Sequence, residues 1–311
     1  MKNWLLLMMV LLTVALFQAC NDDDDGDATA TPTEEASAEF PVTITDDTGA
    51  EVTLKAEPEA IVALSPSFVE VLYAIDAGDS LVAVDENSDY PAEAEALPKV
   101  SGFEPSVEEI AAHEPDLVLL SFDPSGLVTA LGNLGIPSLF LANPADLEGV
   151  YTQIETIGMA SGRLEEAETV TAEMETEIAA IVEQVSDVDQ GPRAFHELDN
   201  TLFTVGPGSF QGSIYDLLKA QNIANSTGEP TPQLSSEAVI AADPEVIALA
   251  DAAFGESAET VAARPGWAAI SAVTSNRVKP VDDDLLSRPG PRVVDGIEEL
   301  ASILYPETFG Q

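Results

Sequence analysis

The chain has 311 residues, of which 56 are Asp or Glu and 11 are Lys or Arg, for a formal net charge of −45. So negative a chain repels nucleic acid and anionic lipid, which are held through Lys and Arg, and neither is expected as a partner. With 45% hydrophobic residues the chain is globular, and its length suits two lobes that each bury a core.

Lys2 precedes an apolar run from Trp4 to Phe17, broken only by Thr13, which has signal-peptide length and is too short to span a bilayer comfortably. The run ends at Phe17-Gln18-Ala19-Cys20. Cys20 is the only cysteine, so no internal disulfide can form. Its place after an export core resembles a bacterial lipobox, with Cys20 as the lipidated residue. Residues 21–39 are acidic and rich in Ala, Thr and Pro, and contain almost nothing to bury. Residues 1–20 thus read as a signal peptide with lipobox, and 21–39 as a disordered acidic tether.

From Phe40 the alternation Phe40-Pro-Val-Thr-Ile-Thr45, a turn at Asp47-Thr48-Gly49, and Glu51-Val-Thr-Leu54 predict a β-hairpin. Short apolar runs then alternate with helical patterns, at 61–65, 81–84, 117–121 and 138–142, and again at 194–197, 246–249 and 278–281. Strands alternating with helices imply parallel α/β layers. Between the two sets, Ile178, Ile181, Val182 and Val185 share one helical stripe. The pattern predicts a long helix from about Glu165 to Val185, spanning roughly 30 Å, with Gly158 and Gly162 interrupting the helical stretch before it. The folded part divides into an N-terminal lobe (40–148), a linking helical segment (149–188) and a C-terminal lobe (189–311).

An internal repeat supports two lobes of related design. Glu108-Glu-Ile-Ala-Ala-His-Glu-Pro115-Asp-Leu-Val-Leu-Leu120 echoes Glu237-Ala-Val-Ile-Ala-Ala-Asp-Pro244-Glu-Val-Ile-Ala-Leu249. Each reads as a short helix, an acid-Pro-acid turn and a buried strand. Pro66-Ser67-Phe68 and Gly208-Ser209-Phe210 form a second echo, in the same order. A cleft between such lobes is the natural ligand site.

Catalytic and metal chemistry find little support. His113 and His196 are the only histidines, so no metal site of His-rich type is expected. His113 is expected at the surface, and His196 in a strand facing core or cleft. No Walker lysine loop or dinucleotide fingerprint occurs, and Gly206-Pro-Gly208-Ser209 lacks the second glycine of a hydrolase elbow. The chain is expected to be no enzyme and to need no cofactor.

Several stretches resemble the periplasmic binding proteins for cobalamin, ferric siderophores and haem. They are Ala63-Leu-Ser-Pro-Ser-Phe-Val-Glu70, Ser88-Asp-Tyr-Pro91, Pro115-Asp-Leu-Val118, Leu202-Phe-Thr-Val-Gly-Pro-Gly-Ser-Phe210, Leu234-Ser-Ser-Glu237 and Arg288-Pro-Gly-Pro-Arg292. The resemblance implies two α/β lobes joined by one long helix, with a ligand cleft between them. It implies delivery of cobalamin or a ferric siderophore-type chelate to an ABC importer permease, with haem as the alternative ligand. An anchored sensory or enzymatic module on the same fold is the alternative of another class. The family's permease-docking carboxylates fall on Glu70 and Glu237, expected to be exposed. Its ligand loops fall on Ser65, Ser67, Tyr90, Phe103, Phe122, Phe210, Leu285 and Arg288. Ser121, Thr231 and Leu285 stand where cobalamin-binding members often carry tryptophan. The expected state is a monomer anchored by lipid to the outer face of the cytoplasmic membrane or in the periplasm.

Overall fold

Short aliphatic runs, buried on both faces, build two parallel sheets. The computed structural model describes residues 40–123 and 125–310, so the expected export signal, Cys20 and the tether lie outside the described residues. The hairpin pairs Val42–Thr45 (β1) with Glu51–Leu54 (β2). The N-terminal lobe continues with Ile61–Ala63 (β3), Pro66–Ala74 (α1), Leu81–Asp85 (β4), Ala92–Glu95 (α2) and Lys99–Val100 (β5). Val107–Ala111 (α3), Leu117–Leu120 (β6), Leu127–Leu134 (α4) and Ser138–Phe140 (β7) complete it. Its sheet runs β5-β4-β3-β6-β7, so strand order reverses between β3 and β6.

Two helices follow, Leu147–Ser161 (α5) and Leu164–Gln184 (α6). Gly162, left-handed at φ 76°, ends α5. Gly158 does not interrupt the helix, contrary to the sequence expectation. It sits inside α5, where a Cβ would collide with Ala167 of α6, and its bare backbone lets the two helices approach.

The C-terminal lobe holds Arg193–Glu197 (β8), Phe210–Leu217 (α7), Gln221–Asn222 (β9), Ser236–Ala242 (α8) and Val246–Leu249 (β10). Ala258–Ala262 (α9), Ser271–Thr274 (α10), Val278–Pro280 (β11), Asp283–Ser287 (α11), Val293–Leu304 (α12) and Pro306–Phe309 (α13) close it. The sheet runs β11-β10-β8-β9, and its order reverses between β8 and β10. α6, 21 residues long, packs on α5 on one side and on α12 on the other, and so links the lobes. α5 itself packs on α1 and β1, within the N-terminal lobe.

The internal repeat is visible as α3-turn-β6 and α8-turn-β10. In each copy the acid before the proline takes a left-handed conformation, Glu114 at φ 51° and Asp243 at φ 47°. Each repeat ends in the strand beside its sheet's reversal. His196 faces the core, where its Nδ1 hydrogen-bonds the Tyr215 hydroxyl at 2.9 Å. Burial pushes its pKa down to about 4, so the ring is neutral at ordinary pH. His113 is partly buried.

The net charge of −45 must repel itself across this surface. Along α6, Glu165, Glu168, Glu173, Glu175, Glu177 and Glu183 are all exposed, and no basic residue occupies its last turn. Raising NaCl from about 0.1 M to about 1 M shortens the screening length from about 10 Å to about 3 Å. The melting temperature by circular dichroism is expected to rise over that range. A flat or falling midpoint would show that this repulsion does not limit stability.

Candidate ligand cleft

In open α/β sheets, ligands bind outside the carboxyl ends of the strands, where strand order reverses. The segment after α11 shows that both sets of strand ends face one boundary. Arg288 Nη1 donates to Glu70 Oε1 at 3.1 Å and to Asp89 Oδ1 at 2.7 Å, and Nη2 donates to the Asn87 carbonyl at 3.3 Å. Arg288 also pairs with Asp284 at 2.8 Å. Arg292 Nη1 donates to Glu70 Oε1 at 3.1 Å, and its guanidinium carbon lies 4.0 Å from the centroid of the Tyr90 ring. A Cβ on Gly290 would touch the Ser67 carbonyl and Val71, so the second lobe sits directly on α1. The Glu70 side chain is 2% exposed, and burial raises its pKa against the pull of Arg288 and Arg292.

The wall of the N-terminal lobe is aromatic. Phe122 lies two residues after β6, and Phe103 follows β5 at the far side of the sheet. Nevertheless their rings stack, with centroids 5.6 Å apart and planes 12° from parallel. The residues after β5 turn back over the ends of β4 and β3. Gly102 N–H donates to Asp85 Oδ2 at 2.9 Å, and a Cβ on Gly102 would lie 2.5 Å from the Leu64 carbonyl. Only glycine fits so close an approach. It delivers Phe103, 71% exposed, to the β3/β6 reversal beside Phe122. Tyr90, in the loop after β4, is also exposed.

The wall of the C-terminal lobe combines acids and aromatics. Glu197 ends β8 and Asp251 follows β10, so the two flank the second reversal. Arg264 holds Glu197 with a two-pronged pair, Nη1 to Oε2 at 2.6 Å and Nη2 to Oε1 at 2.5 Å, and Nη2 meets Glu256 Oε2 at 2.7 Å. Its guanidinium carbon lies 4.7 Å from the ring centroid of the buried Trp267. Asp251 is 4% exposed, and neither carboxylate oxygen has a hydrogen-bond partner among the described residues. Burial, with Glu197 and Glu256 nearby, pushes its pKa up to about 6. Phe203 and Phe254 are exposed on this lobe.

The sequence model of the family described as "Periplasmic binding protein" matches residues 61–285. The chain belongs to that family. It is 35% identical over 310 residues to the "Uncharacterized ABC transporter substrate-binding lipoprotein YvrC" of Bacillus subtilis, covering 96% of each chain. It is 30% identical to the "Cobalamin-binding protein" of Halobacterium salinarum, covering 89% of this chain and 79% of that one. Among solved structures it is similar to the periplasmic vitamin B12-binding protein BtuF of Vibrio cholerae. The TM-score there is 0.70 at 28% identity, with 82% of this chain and 99% of that one covered. It is therefore a substrate-binding protein of an ABC transporter, with the two-lobed fold that the resemblance implied.

Within this binding protein the expected site residues divide. Tyr90, Phe103 and Phe122 stand exposed at strand ends of the first lobe, and Glu237 is exposed in the first turn of α8. Glu70 is not exposed as expected, because the second lobe covers α1 and two arginines enclose the carboxylate. The Arg288 guanidinium is paired with Glu70, Asp89 and Asp284, and its side chain is 11% exposed. Phe210 is buried in the core that α7 shares with its sheet. Ser65 is the buried N-cap of α1, and Ser67 is buried beneath Gly290. Leu285 is partly buried, with its backbone against Gly296 of α12. Sequence reasoning missed Asp251 and Phe254, which no local motif marks, and passed over Phe203 although it lies in the family-like stretch Leu202–Phe210.

A carboxyl whose folded pKa exceeds its ordinary value keeps a proton that the unfolded chain has already lost. For Asp251, stability therefore falls as pH rises from about 4 to about 6. Asp251→Asn removes this penalty. The melting temperature of the variant relative to the parent is expected to climb between pH 4 and pH 7. A constant difference across that range would show that Asp251 does not titrate there.

Proposed function

We propose that the chain captures a corrinoid between its lobes and delivers it to an ABC importer permease. One observation carries this choice among ligands. The walls offer exposed aromatic faces, while the arginines at the boundary, Arg264, Arg288 and Arg292, are all neutralised by carboxylates of the chain itself. Haem presents two propionates, and many ferric siderophores carry net negative charge. Each needs cationic partners that these occupied guanidiniums do not supply. A corrin ring presents a broad apolar surface edged by neutral amides, which suits aromatic walls and hydrogen-bonding carboxyl groups. The names of the Halobacterium and Vibrio relatives support the same reading.

Binding without chemistry on the ligand fits a family named for binding. Glu237, exposed at the start of α8, is the carboxylate proposed to meet a permease guanidinium. Glu70 is reassigned to the lobe boundary. Attachment through a lipid on Cys20 is proposed to hold the monomer on the outer face of the cytoplasmic membrane or in the periplasm. Among the described residues, no helix is long and apolar enough to cross a membrane.

Calorimetric titration of the purified protein with cyanocobalamin, cobinamide, haemin and an anionic ferric tris-catecholate tests the assignment. A corrinoid is expected to bind at least about a hundredfold more tightly than haemin or the ferric chelate, a margin of about 2.7 kcal/mol. Tight haemin binding with no corrinoid binding would reverse the ligand assignment.

A further inference from the structure

We infer that Arg292 is a positioning residue for ligand capture: it reaches across from the second lobe and fixes the Tyr90 ring in the wall of the first. The inference rests on the corrinoid reading only in taking that wall as the ligand's.

A half-exposed tyrosine in a surface loop would ordinarily rotate between rotamers. Tyr90 has a guanidinium over its ring face at 4.0 Å, within the range of a cation–π contact. Arg292 is itself anchored, since its Nη1 donates to the buried Glu70. The same Glu70 oxygen accepts from Arg288, which also holds Asp89 and the Asn87 carbonyl in the Tyr90 loop. Two arginines of one lobe thus fasten three points in that short loop of the other. A role at the start of α12 does not account for Arg292, which stands at the N-cap without a side-chain capping bond. The aromatic wall is therefore complete only while the lobes keep this register. Any swing of one lobe from the other takes the cation off the ring and frees it.

The test uses the full chain labelled with 3-fluorotyrosine, which places a reporter on each of its 5 tyrosines. The Tyr90 resonance is assigned by its loss in Tyr90→Phe. In Arg292→Gln, Glu70 keeps Arg288, so the fold should persist; Arg292→Met, which retains the aliphatic stem, substitutes if it does not. The Tyr90 line is expected to shift and sharpen in the Arg292 variant. It should stay unchanged in Arg163→Gln, which breaks the remote pair with Glu57. Cyanocobalamin affinity is expected to fall about three- to tenfold in Arg292→Gln. The same change made in a Tyr90→Ala background should cost nothing further. An unmoved Tyr90 line, or an equal loss of affinity in both backgrounds, overturns the inference. If the parent chain binds no corrinoid, the ligand assignment fails, while the fluorine comparison still decides the role of Arg292.

Discussion

One buried carboxylate organises this protein. Glu70 projects from α1 into the boundary between lobes and is shared by two arginines from the far side. Removing two ions from water costs several kcal/mol each, so such a pair adds little net stability. Breaking it is another matter, because one partner removed leaves a buried charge, at a cost of about 3–5 kcal/mol. The pair therefore acts as a selector of arrangement. Lobe positions that leave Glu70 without its guanidiniums are penalised, and the arrangement observed is not.

The ligand cleft inherits its shape from that choice. Each sheet reverses strand order once, and each reversal opens a crevice at the carboxyl ends of its strands. α6 joins the lobes, and one hydrophobic cluster runs from the first lobe through α6 into the second. The arginine contacts add a polar tie that brings the Tyr90 loop against the second lobe. Because those arginines are occupied, the cleft presents rings and acids in place of cations. The carboxylates that hold Arg288 and Arg292 at the boundary are thus the same groups that occupy their guanidiniums.

Much of the fold is legible in the sequence because its periods are strong. The stripe from Ile178 to Val185 marks α6, and the aliphatic runs at 117–121 and 246–249 mark the strands beside the two reversals. Lys99–Val100 and Gln221–Asn222 escape because two residues carry no period. The site is less legible. Family position identifies Tyr90, Phe103 and Phe122, but their exposure depends on loop paths such as the turn over Leu64 that Gly102 permits. Glu70 reads as an exposed helix acid because nothing local reveals its cover. Its partner Arg288 is 218 residues away, and α1 is buried without a break from Ser67 to Leu72 because one lobe lies beneath it and the other above. Asp251 escapes for the same reason, since its missing partners are a property of the assembled strand ends.

If Glu70 holds the lobes in one arrangement, its loss should widen the spread of interlobe distances. Spin labels at Thr129→Cys in α4 and Thr260→Cys in α9, both exposed, report the separation by double electron–electron resonance in a chain carrying Cys20→Ser. The parent chain is expected to give one narrow distance distribution, and Glu70→Gln a broad one. Equally narrow distributions in both would show that the lobes are held by something other than this carboxylate.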